Sequence, residues 1–308
     1  MNLTNDILKQ RQSLSLDAKF AMSNRRIREW YEYWNGNVYV SFSGGKDSTV
    51  LLHLVRNIYP EVLAVFYNTG LEYPEVLKFV HQTNNVKWVM PNMSFFEVIK
   101  QYGYPVISKE NSQKILEIRT TKSDKLRQKR LFGDNNKYKS GKLPEKWRFL
   151  IDAPFKISPK CCDIFKKRPA HRFEKESGLK SYIGTMTENS AYRKQSYLRY
   201  GCNSFYGKIQ SRPLSFWQEQ DVWNFIKQNN IKYSSIYDIG YKTTGCAYCM
   251  FGVHLEKEPN RFQLMQQTHP NLYNYCINKL GCGKVMDILG VNYKIVQINM
   301  ELPESEAK

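Results

Sequence analysis

No stretch of the chain approaches the roughly 18 consecutive apolar residues that a membrane span needs, so none is expected. Met1 to Lys19 mixes charged and polar residues without an apolar core, which argues against a secretory leader. Internal repeats, low-complexity tails and a clean linker are also missing. Acidic residues are scarce: 28 Asp and Glu face 46 Lys and Arg among 308 residues, giving a net charge of +18 and a sequence pI near 9.5. Hydrophobic residues make up 42%, enough to fill a core, and the composition excludes disorder, a collagen repeat and a disulfide-rich mini-protein. The expectation is a basic, soluble, cytoplasmic protein of one large domain or two modest ones.

Such an excess of positive charge points to a polyanionic partner, provided the charge clusters. It does. Between Arg119 and Arg148 lie eleven Lys and Arg, among them Lys125, Arg127, Lys129 and Arg130, opposed only by Asp124, Asp134 and Glu145. These four residues are the candidate contacts to nucleic acid, and a solvated helix face with a loose insert is the plainer reading. Gly133 to Asn136 and Ser140-Gly141 read as exposed loop.

Hydrophobic periodicity organises the first hundred residues. A helix is expected over Asp17 to Trp34, with Phe20, Ile27, Trp30 and Tyr31 on one face. Strands are expected over Asn37 to Phe42, Glu61 to Tyr67 and Val86 to Met90, alternating with helices over Asp47 to Asn57, Tyr73 to Gln82 and Phe95 to Tyr102. That alternation implies βαβ units: an α/β fold with a parallel twisted sheet and helices on both faces. Further on, helices are expected over Phe165 to Lys175 and Phe216 to Asn229, a short strand over Lys180 to Gly184, and a mostly helical stretch over Pro259 to Leu289. The organisation read from this is an N-terminal helical segment over residues 1–36, an α/β domain over 37–250 with a basic insert at about 119–148, and a helical C-terminal segment over 251–308.

Ser43-Gly44-Gly45-Lys46-Asp47-Ser48 sits between the first strand and its helix. Two glycines let the backbone turn and bring N–H groups against an anion, and the helix start aims its dipole at the same point. Ser43 and Ser48 offer hydroxyls, and Lys46 a mobile charge. Thr69 and Gly70 end the next strand, where open α/β sheets bind ligands. Donors on both sides of a lysine suit a triphosphate.

The Ser-Gly-Gly-Lys-Asp-Ser loop resembles the pyrophosphate loop of the PP-loop ATP pyrophosphatases, which split ATP between the α and β phosphates. Ala64 to Glu75, Cys161-Cys162 with Lys166 and Pro169, Arg212-Pro213-Leu214 with Trp217, Asp221-Val222-Trp223, and Tyr237 to Cys246 resemble the phosphoadenylyl-sulfate (PAPS) reductase family in order. That resemblance covers about Asn37 to Cys249 and implies an adenine nucleotide α hydrolase-like fold. It further implies that the backbone near Tyr67 holds adenine, that Arg193 contacts phosphate, that Lys46, Asp47 and Lys166 are catalytic, and that Mg²⁺ bridges the phosphates.

Cys161-Cys162 and Cys246-x-x-Cys249 supply four thiols from two distant segments, a soft donor set for zinc or an iron–sulfur cluster. The arrangement resembles the [4Fe–4S] ligands of adenylyl-sulfate (APS) reductases and of DNA phosphorothioation sulfur-transfer proteins. Cys276 and Cys282 read as small core residues; Cys202 is a core residue or a sulfur-carrying thiol.

Three features depart from the reductases. Their nucleophile lies in a Glu-Cys-Gly-Leu-His motif, and Val291 to Lys308 has no cysteine. Met186 and Thr187 stand where they carry an arginine pair. The intact loop is that of ATP-using members. The leading expectation is therefore an ATP-dependent adenylylating iron–sulfur enzyme in sulfur transfer, with DNA or tRNA as acceptor and a cysteine desulfurase or other sulfur donor as partner. The alternative is an APS or PAPS reductase with a thioredoxin-type donor, its nucleophile displaced to Cys276 or Cys282. A third reading is a non-catalytic zinc-thiolate protein that binds nucleic acid.

Overall fold

A computed structural model describes residues 3–133 and 141–295. In chain order the elements are α1 (Asn5–Gln12), α2 (Leu16–Tyr33), β1 (Val38–Phe42), α3 (Lys46–Ile58), β2 (Leu63–Tyr67), α4 (Pro74–His81), β3 (Val86–Val89) and α5 (Phe95–Tyr102). They continue with β4 (Val106–Ile107), α6 (Lys109–Thr120), α7 (Asp124–Phe132), α8 (Arg168–Ser177), β5 (Lys180–Ile183), α9 (Ala191–Tyr200), β6 (Asn203–Ser204) and β7 (Gln210–Ser211). The chain ends with α10 (Glu219–Gln228), β8 (Met250–Phe251), α11 (Arg261–Thr268), α12 (Pro270–Asn274) and α13 (Cys282–Leu289). The elements expected in the first hundred residues are all present, with ends displaced by a residue or two. Part of the expected 133–141 loop lies outside the described residues.

Two compact units emerge. One comprises Met1–Val98 and Lys160–Ala247; the other comprises Ile99–Pro159 and Tyr248–Lys308. The N-terminal 1–36 segment thus belongs to the first unit, while the 119–148 stretch and the C-terminal segment share the second.

The first unit is built on a six-stranded sheet of order β3-β2-β1-β5-β7-β6, parallel except for β6 against β7. Val38, Tyr39, Val40 and Phe42 are buried, the near-continuous apolar run of a strand covered on both faces. Strand β1 pairs with β2 on one side (Val40 beside Ala64) and with β5 on the other (Val40 beside Tyr182). Chain order therefore reverses at β1, and the crevice at its carboxyl end is the natural ligand position of such a sheet. Helix α3 packs Val50, Leu51, Leu54 and Val55 fully into the core. Gly184, ending β5, lets that helix approach: a Cβ there would lie 2.9 Å from the Asp47 carbonyl.

Helix α2 closes over this core through Ile27 and Trp30, with Ser15 capping its start. Phe20 and Tyr31, expected on the same face, instead stack on Phe225 and Tyr59. The residue that periodicity misses is Lys19. It is 2% exposed, and its ammonium lies 2.6 Å from Asp221 on α10. Asp221 also accepts from the Gln218 amide and so caps that helix.

In the second unit β4 and β8 pair in parallel, and Arg119 on α6 donates to the carbonyls of Leu150, Ile151, Ala153 and Phe155. Its described helices include α11 and α13, and Phe262, Met265, Cys276, Val285 and Met286 are buried. Among the described residues no helix is long and apolar enough to cross a membrane.

Removing one partner of a buried ion pair strands the other charge, at about 3–5 kcal/mol. Lys19→Ala should therefore lower stability by roughly that amount in denaturant unfolding, and Lys19→Met with Asp221→Leu should recover much of it. Equal losses in the single and double variants would rule out the pair as the cause.

Candidate active site

The loop after β1 is braced from within. Ser48 is buried; its hydroxyl donates to the Gly45 carbonyl (2.9 Å) and accepts from the Ser43 amide (3.1 Å). Thr49 donates to the same carbonyl. Ser48, expected to offer its hydroxyl to an anion, is thus engaged in shaping the turn, while the Ser43 side chain is exposed. Gly44 turns with φ +69°, and a Cβ there would lie 2.9 Å from Val76 and Val80 of α4. Gly45 is tighter still: a Cβ would stand 2.5 Å from Thr244 Oγ1 and 3.3 Å from Tyr237 Oη.

Helix α3 starts here with no side-chain cap, so its first amides have no partner within the helix. The Lys46 amide donates to Tyr237 Oη at 2.8 Å. The Lys46 ammonium lies 3.2 Å from Glu219, 3.6 Å from Asp47 and 5.6 Å from the centre of the Tyr237 ring. Burial works against its charge, but Asp47, Tyr237 and Glu219 outweigh it and hold its pKa above the ordinary lysine value. Burial also raises Asp47, with Glu219 adding to the effect and Lys46 and Arg193 opposing it. Arg193 is lowered by its own burial against the pull of Asp47. The loop therefore carries two cations, Lys46 and Arg193, and two carboxylates, Asp47 and Glu219. Asp47 Oδ1 is buried without a hydrogen-bond partner.

At the end of β2 a second group forms. Glu72 accepts from the Thr69 amide, the Thr69 hydroxyl (2.7 Å) and the Leu71 amide, fixing the turn around Gly70. The Tyr67 side chain points into the core, 3.0 Å from Tyr39 Oη, which donates to Glu174. Only the backbone of Tyr67 is left to face a ligand.

Lys166 lies on a π-helical turn, Asp163–Lys167, following Cys161-Cys162. It keeps contact with water, yet protein groups crowd its ammonium. Cys246 is the largest influence raising its pKa; burial opposes, and Cys162 and Glu72 add to the rise. Cys246 Sγ also lies 3.9 Å from Thr69 Oγ1. Lys166, Cys162, Cys246, Thr69 and Glu72 therefore converge from three distant segments.

With this geometry in place, comparison with known proteins is informative. A model of the phosphoadenosine phosphosulfate reductase domain matches residues 37–129 and 111–251, more than half of the chain. The chain belongs to that family. An adenosine 5'-phosphosulfate reductase of Lysinibacillus sphaericus is 28% identical over 225 residues, 72% of this chain and 77% of its own. One from Geobacillus kaustophilus is 24% identical over 219 residues, 71% of this chain and 75% of its own. An uncharacterized protein of Methanocaldococcus jannaschii is 23% identical over 82% of this chain, which spans only 51% of that relative's length. A phosphoadenylyl-sulfate reductase from Candida auris, solved as a phosphate complex, covers 80% of this chain and 97% of its own at 17% identity, with a TM-score of 0.43.

Of the four cysteines expected to gather, Cys162 and Cys246 meet at the Lys166 ammonium, and Cys249 belongs to the second unit. Soft thiols are the right donors for an iron–sulfur cluster. Even so, among the described residues no three His, Cys, Asp or Glu side chains form a group that could hold a metal ion. The expected gathering of all four is not found, and no step below runs through a cluster.

The remaining cysteines are poor nucleophiles. Burial pushes Cys202 up to about 11. Cys276 and Cys282 are fully buried; Cys276 is raised far above the ordinary thiol value, by burial first and then by Cys282. The expectation that either takes over a reductase's nucleophile meets this obstacle: both thiols are fully buried, out of a substrate's reach.

The basic segment is also spoken for in part. Arg127 donates to the Thr121 carbonyl, Arg130 pairs with Glu117 and donates to the Gly141 carbonyl, and Arg148 donates to the Leu131 carbonyl. Lys129 packs along Gly141, and Lys125 is exposed. The four arginines of this stretch, Arg119 included, are thus engaged within the second unit.

Sequence reasoning missed Glu219 and Thr244 altogether and gave Tyr237 no role; all three reach the loop from remote segments. A carboxyl raised above its ordinary value costs stability once pH rises through that value. Asp47→Asn, which mimics the neutral acid, should melt above the parent at pH 7 and together with it at pH 3. A lower melting temperature at pH 7 would contradict the assignment of Asp47 as a strained carboxylate.

Proposed function

We propose that this chain binds an adenosine nucleotide with its anionic tail on the Ser43–Ser48 loop, and that its substrate class is adenylyl sulfate, cleaved reductively with a thioredoxin-type dithiol. The observation that carries this reading is the charge balance at the loop. Lys46 and Arg193 are matched by Asp47 and Glu219, so the uncapped helix start supplies the surplus attraction. That suits a tail of modest charge. Adenylyl sulfate carries far less charge than ATP, and the adenosine 5'-phosphosulfate reductases among the relatives support the choice.

In this reading a thiolate of the donor attacks the sulfate sulfur, and the bond from sulfur to the bridging phosphate oxygen breaks. The electron pair leaves with AMP, whose growing charge meets the loop amides, Lys46 and Arg193. A second donor thiol then displaces sulfite and closes the donor's disulfide. Thr69 and Gly70 border the nucleotide, and Lys166 offers a positive charge next to Cys246.

A second reading rests on Asp47 Oδ1, buried without a hydrogen bond and facing the Lys46 ammonium at 3.6 Å. Such an oxygen suits a cation delivered with the ligand, so Asp47 and Glu219 would hold Mg²⁺ on ATP. The chain would then adenylylate an acceptor and release pyrophosphate, and a sulfur donor such as a cysteine desulfurase would displace AMP. Both readings run without the [4Fe–4S] cluster expected at Cys161, Cys162, Cys246 and Cys249.

The two readings separate in one experiment. The chain, with a dithiol donor, should release sulfite from adenylyl sulfate and should not exchange labelled pyrophosphate into ATP. Lys46→Ala should weaken adenylyl sulfate binding at least about tenfold, the scale of a lost charged hydrogen bond. Pyrophosphate exchange that depends on Mg²⁺ and is lost in Asp47→Asn would overturn the first reading in favour of the second.

A further inference from the structure

Residues 189–218 contain no Asp or Glu, yet carry Arg193, Lys194, Arg199, Lys208 and Arg212. They form α9 and the β6–β7 hairpin of the first unit. Helix α9 is polar, with Tyr197 as its one buried residue, and Ser190 caps it by accepting from the Arg193 amide.

Three tyrosines stand out of this surface: Tyr192 is 71% exposed, Tyr200 38% and Tyr206 80%. Tyr192, Ser196, Arg199 and Tyr200 follow the i, i+4, i+7, i+8 spacing of one helix face. Beneath that face lies the buried Arg212, which donates to Ser196 Oγ at 2.6 Å and to the Gly201 carbonyl at 3.2 Å. Its guanidinium is within electrostatic reach of both Tyr192 and Tyr200. The Arg199 guanidinium lies 5.1 Å from the Tyr200 ring centre. Tyr206 and Lys208 sit on the turn of the hairpin, and Arg193, beside Tyr192 in sequence, faces Asp47 at the loop.

We propose that α9 and the β6–β7 turn form a docking surface for single-stranded nucleic acid. Exposed rings offer flat faces for unpaired bases, the neighbouring cations track phosphates, and no carboxylate of this stretch repels the strand. A duplex keeps its base faces stacked and cannot use the tyrosines. In the 119–148 segment the arginines are bound to carbonyls and carboxylates of their own unit and Asp124, Asp134 and Glu145 interrupt the charge, whereas Arg199 and Lys208 are exposed on a stretch with no carboxylate. The surface stands independently of which nucleotide the loop takes.

The test is fluorescence anisotropy of the full chain with short labelled oligonucleotides of one sequence, as single-stranded DNA, single-stranded RNA and duplex, at low and physiological salt. Single strands should bind more tightly than duplex, and the DNA and RNA arms identify the natural ligand. Tyr192→Ala and Tyr206→Ala should each weaken binding roughly tenfold, while Tyr192→Phe keeps it. Neutralising Lys194, Arg199 and Lys208 to Gln should flatten the log–log salt slope by about 2. Lys122→Ala with Lys125→Ala should leave affinity unchanged. An unchanged melting temperature shows that each variant is folded. Binding equal for duplex and single strand, binding indifferent to the tyrosines, equal competition by an acidic polypeptide, or no binding at low salt would each overturn the proposal.

Discussion

Everything at the crest of this sheet depends on how closely the backbone at Gly45 is approached. Thr244 and Tyr237 leave no room for a side chain there, and Tyr237 accepts the first amide of α3 from the same direction. The strand, the turn and the helix start are thereby locked to a segment nearly two hundred residues away in the chain. Because β1 is the strand at which the sheet reverses order, the locked turn lies where two crossovers diverge and a cleft opens. The proposed phosphate-type chemistry rests on that placement more than on any single side chain.

The electrostatics support the proposal of a ligand of limited charge. Asp47 and Glu219 support the Lys46 charge, while burial disfavours the charge of Asp47 itself. Lys166 repeats the pattern at the next strand end, its charge stabilised by thiols and Glu72 in place of paired carboxylates. Two neighbouring strand ends therefore each present a supported cation, one against oxygen chemistry and the other against sulfur.

Much of the architecture was legible in the sequence, because buried parallel strands and their covering helices write strong periods: β1, α3, β2, α4 and β3 fall where Val, Leu and Phe recur. The loop was legible through its two glycines. Other parts were not, for identifiable reasons. Helix α9 buries almost nothing, so it has no apolar period, and only Ser190 marks its start. Lys19 reads as a surface residue until Asp221 arrives from α10 to pair with it. Ser48 reads as a phosphate donor, but the loop needs its hydroxyl to satisfy Gly45. The density of Lys and Arg in 119–148 overstated its availability, because sequence does not tell which guanidiniums are spent on carbonyls of their own fold.

The account's central claim is that the tail of an adenosine nucleotide rests on the start of α3. A crystal structure of the chain grown with adenylyl sulfate tests this most directly. The predicted result is density for the sulfate and phosphate groups against the Gly44–Lys46 backbone, within hydrogen-bonding distance of Lys46 and Arg193. Density for the nucleotide elsewhere, with Tyr237 still accepting the Lys46 amide and the loop otherwise bare, would contradict it.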